Sequence, residues 1–389
     1  MVQQESKQLT WETRSLLAKL SEFYKKLLEP FVGREDEAKA ITLSILVGEH
    51  VILLGEPGTA KSALARRAAD LINARFFKYL LTKYTEPSEL FGPLDLKSLR
   101  EGKYVRITHG KLPEAEVVFL DEVFNANSAV LNAMLSIMQE RVWYDGYTEI
   151  KVPLWTLIGA SNRVPEEPEL EAIYDRFLIR QYARPLPESM WSQLLDAGWR
   201  LEAGLVEKPS PILTMNEIRT LHKMVFEVDI ASVKPKLLRI LAVLEERGIH
   251  LTDRRKAKAQ KVVAAHALLE GRMKAEERDL TVLKYIAPRE LEDFDKINII
   301  LSEELRMPER YIRELKDIRS NVREAARLVE AMRSYDPRLV DLFRSLKIAK
   351  SRILTMMQET EDRQVQALAE SVLREIDELL DKISYKLGM

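Results

Sequence analysis

Five short apolar runs punctuate the first half of the chain. They are Val51-Ile52-Leu53-Leu54, Phe76-Phe77-Lys78-Tyr79-Leu80, Val117-Val118-Phe119-Leu120, Trp155-Thr156-Leu157-Ile158 and Phe177-Leu178-Ile179. Their length suits a strand, and their nearly continuous apolar character suits one buried on both faces. Helical stretches lie between most of them, among them Ser62–Ile72 and Ser128–Gln139; the second gathers Val130, Leu131, Met134, Leu135 and Met138 on one side. Strand and helix in alternation predict a mostly parallel sheet covered by helices on both faces.

Beyond about Pro187 the strand signal stops. Thr214-Met215-Asn216-Glu217 has the spacing of a capping box, in which the hydroxyl and the carboxylate each satisfy a free backbone N–H at a helix start. Leu237–Glu246 and Arg254–Glu270 read as further helices of a second, helical domain. After Pro308 three apolar seams follow, each stepping by three and four. The first runs through Tyr311, Leu315, Ile318, Val322, Ala325, Val329 and Met332; the second through Leu339, Leu342, Leu346, Ala349, Ile353 and Met356; the third through Val365, Leu368, Val372, Ile376, Leu379 and Ile383. Such seams are what antiparallel helices bury, so a three-helix extension is predicted. Asp336-Pro337 marks one of its helix starts, with the proline expected at the first helical position.

Composition narrows the chemistry. Of 389 residues 46% are hydrophobic and 31% charged, with a net charge of −1. That balance gives no electrostatic reason to expect a nucleic-acid partner. With no cysteine, disulfides, thiolate chemistry and cysteine-based zinc sites are excluded. The five histidines, His50, His109, His222, His250 and His266, form no ligand pair at helical spacing. The opening residues lack an apolar stretch and no run approaches membrane-spanning length, so the expectation is a soluble cytoplasmic protein without a membrane segment.

Two motifs carry reactivity. Gly55-Glu56-Pro57-Gly58-Thr59-Ala60-Lys61-Ser62 follows an apolar strand and opens a helix, the context of a phosphate-binding P-loop. Glycines let the loop curl so that several N–H groups face one phosphate, and the helix N-terminus, including Ala63, adds a favourable dipole. Lys61 is suited to the β- and γ-phosphates and the Ser62 hydroxyl to Mg²⁺. The sequence departs from the general pattern at Ala60, where glycine usually precedes the lysine. Val117-Val118-Phe119-Leu120-Asp121-Glu122 sets two acids at the end of a buried strand, where open α/β sheets bind ligands. Asp121 is suited to hold Mg²⁺ through water, and Glu122 to orient the attacking water.

With these motifs the sequence resembles an AAA+ ATPase of the MoxR family, closest to its RavA-like branch, over roughly residues 30–285. Phe31-Val32-Gly33-Arg34 resembles the segment near the adenine, implying nucleotide contacts by Val32 and Gly33. Ala160-Ser161-Asn162 matches the sensor-1 position, with Asn162 holding the attacking water. Tyr174-Asp175-Arg176-Phe177-Leu178-Ile179-Arg180 matches the segment with the arginine finger, which makes Arg176 the residue for a neighbouring subunit's γ-phosphate. Leu251-Thr252-Asp253-Arg254-Arg255 matches sensor 2, with Arg254 favoured for the phosphate and Arg255 the alternative. The implied organisation is an α/β P-loop AAA+ core over 1–187 with an N-terminal helix at about 10–29, an all-α lid over 188–287 and a C-terminal helical domain over 288–389.

Two segments sharpen the subgroup. Leu94–Ile107, around Arg100-Glu101-Gly102, and Val142–Ile150, with an Asp145-Gly146 turn signal, are both expected to be hairpins. They resemble the β insertions of the clade containing MoxR, magnesium chelatase and MCM proteins, where such insertions face the ring pore or a client. The resemblance implies ATP and Mg²⁺ as cofactors, a homo-oligomer of hexamer type, and a protein client or a von Willebrand A-domain partner. No β-rich insertion of the kind that docks lysine decarboxylase in enterobacterial RavA is present. Three activities remain open: a protein remodeller or chaperone, a nucleic-acid translocase of the MCM-related clade, and a nucleotide-switched assembly scaffold.

Overall fold

The computed structural model describes residues 11–145, 148–305, 308–332, 334, 336–360 and 362–388. The apolar runs are strands of one five-stranded sheet: β1 (His50–Leu54), β2 (Phe76–Leu80), β3 (Val117–Asp121), β6 (Thr156–Ser161) and β7 (Phe177–Tyr182). The spatial order is β2-β3-β6-β1-β7, and every pairing is parallel. β1 and β6 are buried at every residue, as continuous apolar sequence requires of a strand covered on both faces. β2, on an edge, buries only Phe77 and leaves Lys78 and Leu80 exposed.

Two further strands, β4 (Val142–Asp145) and β5 (Thr148–Lys151), pair antiparallel and form the second insertion. Of the expected Asp145-Gly146 turn, Asp145 ends β4, and Gly146 lies outside the described residues. The first insertion departs from expectation. Only Leu94 and Arg106 form an antiparallel bridge, and Leu96–Arg100 is a short helix rather than a hairpin strand. The reason is local: the Asp95 carboxylate accepts bonds from the Lys97 amide (3.1 Å) and the Ser98 hydroxyl (2.6 Å), an N-cap that turns the chain into a helix.

Contacts divide the chain into two compact units, one ending at Ile297 and the other beginning at Asn298. In the first unit, helix Trp11–Leu28 buries Leu17, Leu20, Phe23 and Leu27, one face at helical spacing. Thr214 and Glu217 close the expected capping box on helix Met215–Val225. Helices Lys234–Glu246 and Asp253–Leu269 complete this helical portion. In the second unit, helices Pro308–Ala331, Arg338–Glu359 and Arg363–Leu387 bury the three seams against one another. Pro337 stands one position earlier than expected, at the cap rather than inside the helix. Among the described residues no helix is long and apolar enough to cross a membrane.

Candidate functional site

The parallel sheet delivers three strand ends to one edge. β1 runs into Gly55, β3 ends in Asp121 and is followed by Glu122, and β6, lying between them, is followed by Asn162. A cavity of about 690 Å³ opens there, lined by Val32, Pro57 to Ala63, Asp121 and Glu122 among others. Elements distant in sequence thus meet because sheet order, not chain order, sets proximity.

The P-loop backbone has the curled form that an anion cradle needs. Gly55 (φ 133°), Gly58 (φ 84°) and Ala60 (φ 62°) are all at positive φ. Gly55 has a second reason to lack a side chain: a Cβ there would lie 2.3 Å from the Ala183 carbonyl oxygen. That contact comes from β7, whose continuation bonds back to β1 through the Ala183 amide and the Leu54 carbonyl (2.7 Å). Lys61 Nζ donates to the carbonyls of Gly55 (2.7 Å) and Glu56 (2.8 Å) and to the Thr59 hydroxyl (3.2 Å). Burial pulls the lysine's pKa below its usual value, opposed by the negative charges of Asp121 and Glu122. Glu122 is itself left-handed (φ 50°), an uncommon backbone for a residue with a side chain, and its amide bonds Asp121 Oδ1 (3.2 Å).

This donor and acceptor set fits a magnesium nucleotide. A nest of backbone amides, one lysine and a helix N-terminus suit a polyphosphate. The Ser62 hydroxyl and the Asp121 carboxylate, which both line the cavity, are hard oxygen ligands of the type Mg²⁺ prefers. The lining also includes the apolar side chains Phe31, Val32, Leu186, Leu194 and Leu201, which suit a flat base. Gly33 does not line the cavity; it lies beneath Leu186, where a Cβ would come within 2.6 Å of Cδ2. Arg34, from the segment expected near the base, lines the cavity, as do Arg66, Arg67 and helix Trp191–Glu202, which were not anticipated from sequence. The paired apolar positions Leu194 and Leu201, soon after the last strand, were the available signal.

Asn162 is exposed one residue beyond β6 and is not among the residues lining the cavity. The two expected arginines are not there either. Arg176 and Arg254 line a separate cavity of about 220 Å³, with Asp175 and Gln139. Arg254 NH1 lies 3.9 Å from Asp175 Oδ2 and is 41% exposed. Burial lowers the Arg176 pKa, the positive charge of Arg254 lowers it further, and Asp175 opposes both. Arg255, the alternative for sensor 2, is buried. Its guanidinium donates to the carbonyls of Phe177 (2.9 Å), Leu178 (2.9 Å) and Ile286, which ties helix Asp253–Leu269 to β7. Arg255 is thus engaged with backbone carbonyls, whereas the neighbouring Arg254 is partly exposed beside Asp175.

Comparison with known proteins bears on the family and the fold. Residues 18–223 match the family described as the MoxR domain in MoxR-vWA-beta-propeller ternary systems, and residues 228–301 match an AAA lid domain. An uncharacterized protein of Methanocaldococcus jannaschii is 43% identical over 282 residues, covering 72% of this chain and 74% of its own length. The chaperone MoxR1 of Mycobacterium tuberculosis is 28% identical over 162 residues, 40% of this chain and 42% of its own. The solved structure of a candidate ATPase from Cytophaga hutchinsonii superposes with a TM-score of 0.62 at 20% identity, covering 76% of this chain and 96% of that one, a likeness of fold.

Proposed function

Since the chain belongs to the MoxR family of AAA+ ATPases, we propose that it hydrolyses Mg-ATP at the Lys61 cavity, completed by Arg176 and Arg254 of a neighbouring copy in a ring. One observation carries this reading. Lysine and acids line one cavity of the chain while the two arginines line another. A γ-phosphate held by Lys61 is then met by Arg176 and Arg254 only when a second copy apposes its Arg176 cavity.

Each group has a role that phosphoryl transfer needs. The P-loop amides and Lys61 hold the β- and γ-phosphates, and Glu122 orients and polarises the attacking water with Asn162 as its second support. Mg²⁺ bound by Ser62 and, through water, by Asp121 would neutralise phosphate charge as the leaving oxygen separates. Arg176 in trans stabilises the charge that develops on the equatorial oxygens. Helix Trp191–Glu202 supports a packed neighbour. Leu194 and Leu201 face the cavity, while Trp191, Leu195 and Trp199 form an adjacent stripe at 54%, 73% and 77% exposure. So large an apolar stripe at the rim of a shared site suits a subunit contact.

The work done with ATP is protein remodelling, with a von Willebrand A-domain protein as the partner class, in line with the systems for which the matched family is described. The exposed Leu96, Leu99, Tyr104 and Ile107 of the first insertion suit a protein client. The three-helix unit supports the RavA-like placement. A nucleic-acid translocase is less well supported, because the basic groups near Tyr104 are engaged: Lys103 with Glu101, Arg106 with Asp145 and Lys111 with the Glu89 carbonyl.

ATP turnover of the wild type against Lys61→Ala, Glu122→Gln and Arg176→Ala tests the assignment. Arg176→Ala is expected to bind ATP yet lose roughly 10³-fold in turnover, and hydrolysis surviving all three changes would overturn the reading. Light scattering with ATP, ADP and no nucleotide separates it from an assembly scaffold, which would change size with very slow turnover.

A further inference from the structure

The Arg176 side chain is held by two bonds. NH1 donates to the Ala172 carbonyl of its own helix (2.7 Å), and NH2 donates to Gln139 Oε1 (2.8 Å). Its Nε is buried with no acceptor among the described residues. The Ala172 bond is a property of helix Pro168–Arg176 itself and turns with it. Gln139 is the side chain from outside that helix that fixes where the guanidinium points. It stands in the last turn of helix Ser128–Glu140, which packs against Pro168–Arg176.

That helix begins beside the acid pair. Glu122 caps the turn Val123–Asn125, and Asn127 then caps the helix, its Oδ1 accepting from the Val130 amide (3.1 Å) and its Nδ2 donating to the Thr85 carbonyl (2.6 Å). A short turn and the helix that follows it therefore lead from Glu122 to Gln139, which meets Arg176 on the neighbouring helix. We infer that Gln139 is a positioning residue for Arg176, aiming its guanidinium at the neighbouring subunit's phosphate from a helix anchored at this subunit's own acid pair. This rests on the reading that Arg176 acts in trans. An arginine is effective in such a site only when pre-aimed, since a long side chain left free must be ordered at each turnover.

The test uses subunit mixing with the full chain. Gln139→Ala alone is expected to lower turnover by roughly tenfold to hundredfold, with ATP affinity by calorimetry unchanged. Gln139→Ala is then co-expressed with Lys61→Ala, the two carrying different tags, and mixed assemblies are purified on both. The Lys61→Ala subunits hydrolyse nothing but carry an intact Gln139 and Arg176, so turnover per Gln139→Ala site should recover. An Arg176→Ala with Lys61→Ala mixture runs in parallel. Recovery with Arg176→Ala but not with Gln139→Ala overturns the Gln139 assignment alone, because the defect then lies in its own subunit's site. Failure of both mixtures overturns the trans reading beneath it. Loss of ATP affinity in Gln139→Ala also counts against positioning.

Discussion

Arg106 and Asp145 belong to different insertions, and their side chains meet with Nε 3.1 Å from Oδ1 at only 16% and 9% exposure. Arg106 also donates to the Gly92 carbonyl (2.9 Å), and Trp143, beside Asp145, stacks on Phe91. The two insertions are therefore joined rather than independent loops. Removing one partner of a buried pair leaves the other charge without compensation. Arg106→Ala is expected to cost about 3 kcal/mol of unfolding free energy in urea and to speed amide exchange across residues 93–107 and 142–151, with basal ATP turnover kept. Unchanged exchange in the second insertion would mean that the insertions are not coupled through this pair.

Ala60 offers a test of the P-loop geometry. It is left-handed at φ 62°, where its Cβ is strained and glycine is not. Ala60→Gly should relieve about 1 kcal/mol of that strain, partly offset by greater freedom in the unfolded chain. The expected outcome is a small rise in denaturation midpoint with ATP affinity retained. A fall in stability would show that the loop does not hold this backbone at rest.

Arg254 and Arg255 are adjacent in sequence and should behave in opposite ways. Arg255→Ala removes donors from three carbonyls, two on β7 and one at Ile286, that hold helix Asp253–Leu269 in place, at a cost of roughly 3 kcal/mol or more. Lysine should not rescue it, because one ammonium cannot span three acceptors arranged around a planar fork. Arg254→Ala should leave the denaturation curve almost unmoved and lower turnover roughly tenfold or more, as loss of a transition-state contact does. The reverse pattern would reassign the phosphate contact to Arg255.

This pair also marks where sequence reasoning stops. The strands were legible because the buried runs are continuously apolar and short; β3, for example, buries the whole predicted run Val117–Leu120. The local chemistry of the P-loop and of the Thr214 capping box was legible because each motif satisfies its own backbone. Pattern could not reveal that Arg254 and Arg176 share a cavity apart from Lys61, since this depends on how the helical portion of the first unit meets the sheet. Nor could it reveal Leu194 or Leu201 in the lining of the Lys61 cavity, or Gln139 against Arg176, because these contacts join elements distant in sequence. The first insertion was misread for a local reason: alternating apolar residues outweighed the Asp95 cap that starts a helix.

His50 makes stability depend on pH in a window of its own. Its Nδ1 accepts the Leu157 amide (2.9 Å), which leaves the proton on Nε2, placed 2.9 Å from the Met138 carbonyl. The ring is buried at the start of β1, and the Arg141 guanidinium lies beside it; burial first and Arg141 second push its pKa from 6.5 down to about 3, against weaker opposition from the Met138 carbonyl and Glu49. The unfolded chain protonates this histidine near pH 6.5 while the folded one stays neutral. Between pH 6.5 and about 3 the unfolded state thus binds more protons, and stability falls as pH falls, by about 1.4 kcal/mol per pH unit at most. Carboxylates such as Glu49, held low by Lys261 and Lys258, act in the same direction but at more acid pH. His50→Gln should therefore be less stable at pH 8 and lose its excess dependence between pH 6.5 and 4.5, while the steeper carboxylate limb below remains. Urea midpoints of both proteins across pH 4 to 8 measure the difference. Parallel curves over that upper range would show that His50 is already charged in the fold.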